Sequence, residues 1–203
     1  MQVRELTVAG ALELTPVQHR DARGVFLEWF RGDVIADRRG APLPLAQANC
    51  SVSGAGTLRG VHYAQVPPGQ AKYVTCVTGA VLDLVVDLRV GSPTFGAVDS
   101  VLLDTEHRRA VYLPEGLGHA FLALQDASTV VYLCSTGYDP AREFGIDPLD
   151  PELALPLPAG IDLVLSEKDR AAPTLAEARE AGLLPQWQAP EATATAATGG
   201  TPS

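Results

Sequence analysis

The sequence has no CxxC pair. Its three cysteines, Cys50, Cys76 and Cys134, are scattered and odd in number, which argues against a disulfide framework and fits a reducing compartment. They are expected to be small core residues. There is no basic excess either: the formal charge is −9, with 15 Lys and Arg against 24 Asp and Glu. A nucleic-acid partner is thereby excluded, because such surfaces need positive charge. A few arginines in one cleft can still outweigh the global sign, so an anionic small molecule remains open. No apolar run approaches the length of a membrane span, and Met1-Gln2-Val3-Arg4-Glu5 offers no apolar signal core. No internal repeat is visible. These absences together predict a cytoplasmic protein with neither membrane nor nucleic acid as partner.

What is present is a chain of 203 residues, enough for one domain with a sizeable core. Glycine (19) and proline (16) are plentiful, which favours turns and short strands over a helical bundle. The middle reads as strand after strand: Leu45 to Ser53, Thr57 to Tyr63, Lys72 to Thr78 and Val81 to Leu88. Gly, Pro or Ser clusters bound each one. Ala97 to Leu103, Arg109 to Leu113, His119 to Leu124 and Thr129 to Leu133 continue the series. Such spacing predicts an all-β antiparallel sandwich or barrel. Helical signals are confined to the flanks. Asp33 to Arg38 precedes a Gly40 stop, and Thr174 with Glu177 forms a capping-box pattern opening Leu175 to Leu184. From Ala189 the composition collapses to Ala, Thr, Gly, Pro and Ser, predicting a disordered tail. The expected organisation is one domain over 1–184 and an extension over 185–203.

Four histidines are the natural place to look for chemistry. His62 lies near the end of a strand, in Leu58-Arg59-Gly60-Val61-His62-Tyr63. His119 closes Pro114-Glu115-Gly116-Leu117-Gly118-His119. That P-x-G-x-x-H stretch resembles half of the metal pattern of cupins, which are jelly-roll barrels. The other half needs H-x-H and a nearby glutamate, whereas this chain reads His62-Tyr63-Ala64. Three imidazoles and a carboxylate are not available, so no metal is expected. A histidine without metal is a candidate general base, because its ordinary pKa lies near working pH. A buried carboxylate would fix its tautomer, and Asp169 in Leu165-Ser166-Glu167-Lys168-Asp169 is a candidate. His19 and His107 fall in expected loops and carry no assignment.

Several segments stand in one order and spacing: Thr57 to Tyr63, Pro68-Gly69-Gln70-Ala71-Lys72, Val86 to Gly96, Pro114 to Phe121, and Leu165 to Asp169. In this the chain, from about Val3 to Leu184, resembles the dTDP-4-dehydrorhamnose 3,5-epimerase family. The resemblance implies a cupin-like jelly-roll homodimer with short flanking helices. It also implies no cofactor, and a 4-keto-6-deoxy sugar carried on dTDP as substrate. A C4 ketone acidifies the protons on C3 and C5, so a base can form an enolate that is reprotonated from the other face. His62 matches the family base, Asp169 its partner, Tyr132 the acid, and Lys72 the cation beside the ketone oxygen. Arg23 and Arg59 match positions holding the pyrophosphate, and Phe26 and Glu28 match residues that meet the nucleotide, partly across the dimer. Gln47 and Asn49 resemble polar positions lining the pocket, His119 a second neighbour of the sugar, and Tyr138 and Glu143 the pattern after the acid.

The chain also departs from the family. Leu133 stands where many members have lysine, and Gly145-Ile146-Asp147-Pro148-Leu149-Asp150-Pro151 lacks a frequent tryptophan. These features resemble an antibiotic-sugar branch, in which some members invert C3 alone or C5 alone. Proton abstraction is left intact; the number of inverted centres stays open. Two other readings compete: a cupin-type 3,4-ketoisomerase of a similar dTDP-sugar, and a non-catalytic sugar-nucleotide binding module. A module that only binds has no need of a base and an acid on opposing faces.

Overall fold

The computed structural model describes residues 1–188; the tail expected to be disordered from Ala189 lies outside the described residues. Thirteen strands and three short helices follow in chain order. First come β1 (Gln2–Glu5), β2 (Leu12–Thr15), β3 (Gln18–Asp21), β4 (Gly24–Leu27) and α1 (Gly32–Arg39). The barrel strands are β5 (Gln47–Ser53), β6 (Leu58–Ala64), β7 (Lys72–Thr78), β8 (Ala80–Asp87), β9 (Val98–Asp104), β10 (Ala110–Leu113), β11 (Leu117–Ala123) and β12 (Ser128–Cys134). The chain ends with β13 (Glu143–Gly145), α2 (Glu167–Arg170) and α3 (Leu175–Glu180).

The strands form two facing antiparallel sheets, ordered β1-β2-β10-β7-β12-β5 and β13-β6-β11-β8-β9. This is the antiparallel barrel that the strand spacing predicts, in the cupin-like jelly-roll form that the resemblance implies. Alternation along each strand sorts the apolar residues into three clusters. Val74, Cys76, Val81, Val85, Phe121 and Val130 fill the space between the sheets. Val61, Tyr63, Leu84, Leu122 and Ile146 lie outside the five-stranded sheet, under the C-terminal segment with Leu153, Leu175 and Leu184. Outside the six-stranded sheet, Leu12, Leu14 and Tyr73 are covered by Ile35 of α1. Helix α1 stops at Gly40 in the left-handed conformation, as its sequence predicts. Thr174 and Glu177 make the predicted capping box on α3, although that helix ends at Glu180 rather than Leu184. Residues 185–188 still pack on the barrel: Val90 donates to the Pro185 carbonyl, and Trp187 donates to that of Val90.

Two expectations fail. Cys50 is exposed, not in the core, whereas Cys76 and Cys134 are buried. Alternation turns Cys50 away from the barrel interior on β5, an outermost strand of its sheet. His19 is not in a loop but in β3, which pairs only with β4 as a solvent-facing ribbon. The ribbon's turn is set by Asp21, whose carboxylate accepts from the Arg23 backbone N–H at 2.8 Å.

Candidate active site

A cavity of about 410 Å³ is lined by Arg59, His62, Tyr132, Asp169, Ser51 and Lys168, with Leu58, Val164 and Leu165 among its apolar walls. Arg59 and His62 are three residues apart, so strict alternation would send them to opposite faces of β6. An irregularity re-phases the strand. Gly60 has φ +107°, and a Cβ there would overlap the His119 carbonyl and the Ala120 Cα. The β6–β11 register shifts at this point, between His119 and Phe121. Both side chains thereby reach one cavity.

His62 Nε2 lies 2.6 Å from Asp169 Oδ1. Asp169 is buried, on the single turn of α2, where its backbone N–H donates to the Ser166 hydroxyl at 3.0 Å. Burial pushes its carboxyl up. The His62 ring, the Ser166 hydroxyl and the Gly60 backbone outweigh that and hold it below the ordinary carboxylate value. The carboxylate is therefore charged at neutral pH and fixes the His62 ring with its other nitrogen free.

The opposite sheet carries Tyr132 and Lys72. Tyr132 points inward and packs against the interior cluster. Burial raises its phenol pKa, as do Cys134 and Glu143, while Arg59 and Asn49 lower it. The register pairs Tyr132 with Asn49 and Cys134 with both Gln47 and Lys72. Lys72, Tyr132, Gln47 and Asn49 therefore share one inward face. Burial lowers the Lys72 pKa, and Glu143, Cys134 and Asp83 oppose it. Glu143 enters from β13, which lies beside β6 with Gly145 opposite His62.

His119 stands opposite His62 in the β6–β11 ladder, and its Nε2 lies 2.7 Å from Asp83 Oδ2. Asp83 was not singled out by the sequence. It is fully buried, and its other oxygen has no hydrogen-bond partner. A carboxylate inside the apolar run Val81 to Leu88 is itself the signal that could have found it, since aspartate is almost never fully buried unless paired. Ser51 was missed likewise; it lines the cavity and its hydroxyl is buried without a partner.

Of the expected residues, Arg59, His62, Tyr132 and Asp169 line this cavity; Lys72, His119, Gln47, Asn49 and Glu143 lie on neighbouring strands outside its lining, and the rest are farther out. Arg23 sits on the exposed ribbon and is paired with Asp21 at 2.5 Å. Phe26 is 69% exposed, and Glu28 pairs with Arg31. Tyr138 is exposed on the loop after β12, tied by its backbone N–H to Gln47 Oε1 at 2.8 Å. A slightly larger cavity, about 440 Å³, lies elsewhere, between Arg38, Arg39, Tyr112 and Trp187. It brings no paired imidazole to its wall, so volume does not locate the chemistry. Among the described residues, no three His, Cys, Asp or Glu side chains converge as a metal site.

A family profile described as dTDP-4-dehydrorhamnose 3,5-epimerase matches residues 5–177. The chain belongs to that family. It is 58% identical over 187 residues to a dTDP-4-dehydrorhamnose 3,5-epimerase of Mycolicibacterium smegmatis, covering 92% of each chain. It is also 58% identical over 187 residues to a dTDP-4-dehydrorhamnose 3-epimerase of Streptomyces niveus, covering 92% of this chain and 90% of that one. Among solved structures, the Mycobacterium tuberculosis rmlC epimerase superposes with a TM-score of 0.89 at 56% identity. That match covers 92% of this chain and 94% of the other. Relatives of equal identity thus carry both the double and the single epimerase name, so overall similarity does not count the inverted centres. Membership of this dTDP-4-dehydrorhamnose 3,5-epimerase family makes the protein an isomerase.

Proposed function

We propose that this protein epimerises a dTDP-4-keto-6-deoxy-hexose at C3, C5 or both, without a cofactor, as a cytoplasmic homodimer. The observation that carries this reading is the placement of the His62–Asp169 pair and the Tyr132 phenol in one cavity, on opposing sheets. A substrate ring lying between them offers one face to a base and the other to an acid. His62 removes the proton from the carbon next to the ketone, and the C–H electron pair becomes the enolate. Asp169 stabilises the resulting imidazolium. Charge develops on the ketone oxygen, where the Lys72 ammonium and the His119 ring stabilise it. Tyr132 then gives its proton to the carbon from the other face, inverting it; the His62 imidazolium afterwards releases its proton to solvent, and the Tyr132 phenolate takes one back.

Arg59, at the cavity mouth, suits a diphosphate through its fork of donors. Its Nε donates to Ser53 at 3.1 Å, leaving the terminal nitrogens available. Glu143 flanks the sugar beside Lys72, while Gln47 and Asn49 stand behind Tyr132 on the same inward face. Arg23, Phe26 and Glu28 do not reach the cavity of their own chain. They and Tyr138 serve the nucleotide from the rim, with the exposed ribbon reaching the mouth of a second copy.

Incubation with dTDP-4-keto-6-deoxyglucose in deuterated water, followed by NMR, tests the proposal. Deuterium with inversion at both carbons gives a double epimerase, and at one carbon a single epimerase. Migration of the carbonyl to C3 would replace this reading with ketoisomerisation, and an absence of any exchange would leave only a binding module.

A further inference from the structure

Gln47 and Asn49 lie on the inward face of β5, across from Tyr132 and Cys134, yet their amides are largely spent inside the protein. Gln47 Oε1 accepts from the backbone N–H of Tyr138 at 2.8 Å. Gln47 Nε2 donates to Asn49 Oδ1 at 2.8 Å, and Asn49 Nδ2 donates to the Cys134 thiol at 3.6 Å. Asn49 is also the direct cross-strand partner of Tyr132. Directly opposed side chains in an antiparallel ladder have Cβ atoms about 5 Å apart, close enough to touch. A primary amide has two N–H groups, and the thiol takes one. The second is left for the face that Tyr132 occupies.

We propose that Asn49 is a positioning residue for the acid: its free N–H directs the Tyr132 phenol oxygen toward the substrate, and Gln47 couples that direction to the loop carrying Tyr138. The inference rests on the epimerase reading and deepens it. When Tyr132 transfers its proton to the enolate carbon, its O–H bond breaks, a C–H bond forms and a tyrosinate remains. A donor held against that oxygen stabilises the tyrosinate and makes the phenol a stronger acid, which matches the direction in which Asn49 acts on it. Arg59 acts in the same sense, whereas Cys134 and Glu143 oppose it. The network has a further consequence. The loop holding Tyr138 is exposed, so a substrate that orders it also tightens Gln47, Asn49 and Tyr132 in sequence.

The test separates proton removal from inversion. His62 is 35% exposed, so its imidazolium trades the abstracted proton with solvent. If Tyr132 is misdirected, the base returns deuterium to the face it came from. Substrate then gains deuterium without inverting. Asn49→Leu should raise the ratio of exchange with retention to inversion by about tenfold, the factor one neutral hydrogen bond is worth. Gln47→Leu should raise it less, because Asn49 remains. Asn49→Leu should also move the alkaline limb of the pH–rate profile upward, with dTDP affinity unchanged by calorimetry. Both positions are on an outermost strand, and a thermal melt verifies folding. If dTDP affinity falls while the ratio and the pH limb stay put, Asn49 is a nucleotide contact and the inference is overturned. A proportional fall of exchange and inversion together overturns it as well. Wild-type protein that exchanges nothing would instead remove the epimerase reading on which it stands.

Discussion

His62 and His119 face one another across the β6–β11 ladder, and each imidazole ends on its own buried carboxylate, Asp169 at 2.6 Å and Asp83 at 2.7 Å. The two pairs differ in access to water. The His62 side chain is 35% exposed, the His119 side chain only 9%. A base must collect a proton and release it to solvent in every turnover, which only the first pair can do. A donor to a developing oxyanion needs a fixed position and no exchange, which suits the second. In the proposed epimerisation, the ladder would thus divide two chemically similar dyads into a proton carrier and a stationary donor.

Replacement of Asp169 by asparagine follows directly. The side chain keeps its shape, but the charge that stabilises the imidazolium is gone. Turnover should fall by about 10²–10⁴-fold, the range of a general-base contribution. Deuterium wash-in should fall by the same factor, while dTDP affinity is retained. Exchange that persists at the wild-type rate would take Asp169 out of the base's support.

Asp83→Asn probes the other dyad. His119 then loses the charged acceptor that orients it, and the ketone oxygen loses a fixed partner. The expected effect is a kcat about 10²–10³-fold lower with little change in KM, the signature of a lost transition-state contact. Steady-state kinetics decides it: a rise in KM at constant kcat would make His119 a ground-state binding residue only.

The contrast between these two carboxylates also marks where sequence reading succeeds. Strands β5 to β12 are legible because turn residues bracket each apolar run. Strands β1 to β4 and β13 are only three or four residues long, too short for alternation to register. Asp169 was reachable through a motif carried by several segments in register. Asp83 lay hidden in an apolar strand, where its chemistry depends on a histidine 36 residues away. Likewise, the composition of β5 makes Gln47 and Asn49 look like free pocket residues; only the fold reveals their partners.

The solvent-facing ribbon makes a prediction about assembly. If Arg23 completes the site of a second copy, Arg23→Ala and His62→Ala chains damage one site in different subunits. A mixed dimer then holds one intact site and one doubly damaged site. Equimolar mixing after subunit exchange should restore about a quarter of wild-type turnover, since half of the dimers are mixed. No restoration from exchanged subunits would place Arg23 with the cavity of its own chain or outside the site.

The last prediction concerns acid stability. Asp87 is fully buried and receives Arg89 through Nε and Nη2 at 2.8 Å, with the Ser92 and Thr94 hydroxyls at 2.6 Å. The Arg89 guanidinium in turn lies 4.3 Å above the Trp187 ring, tying the end of the described chain to the barrel. Burial raises the Asp87 pKa, but Arg89 and the two hydroxyls outweigh it, so the folded value is lower than the unfolded one. A depressed carboxylate contributes stability that is fully present above its unfolded pKa, about 4. That contribution is lost as pH falls through the folded value. Asp87→Asn leaves Arg89 buried without its counter-charge and should cost about 3–5 kcal/mol at pH 7. The gap between wild type and variant should narrow below about pH 4, where the Asp87 carboxylate of the unfolded chain begins to protonate while the folded one is still charged. Urea denaturation across pH 3–7 measures both. A gap that stays constant down to pH 3 would mean that the loss comes from packing and not from the charge.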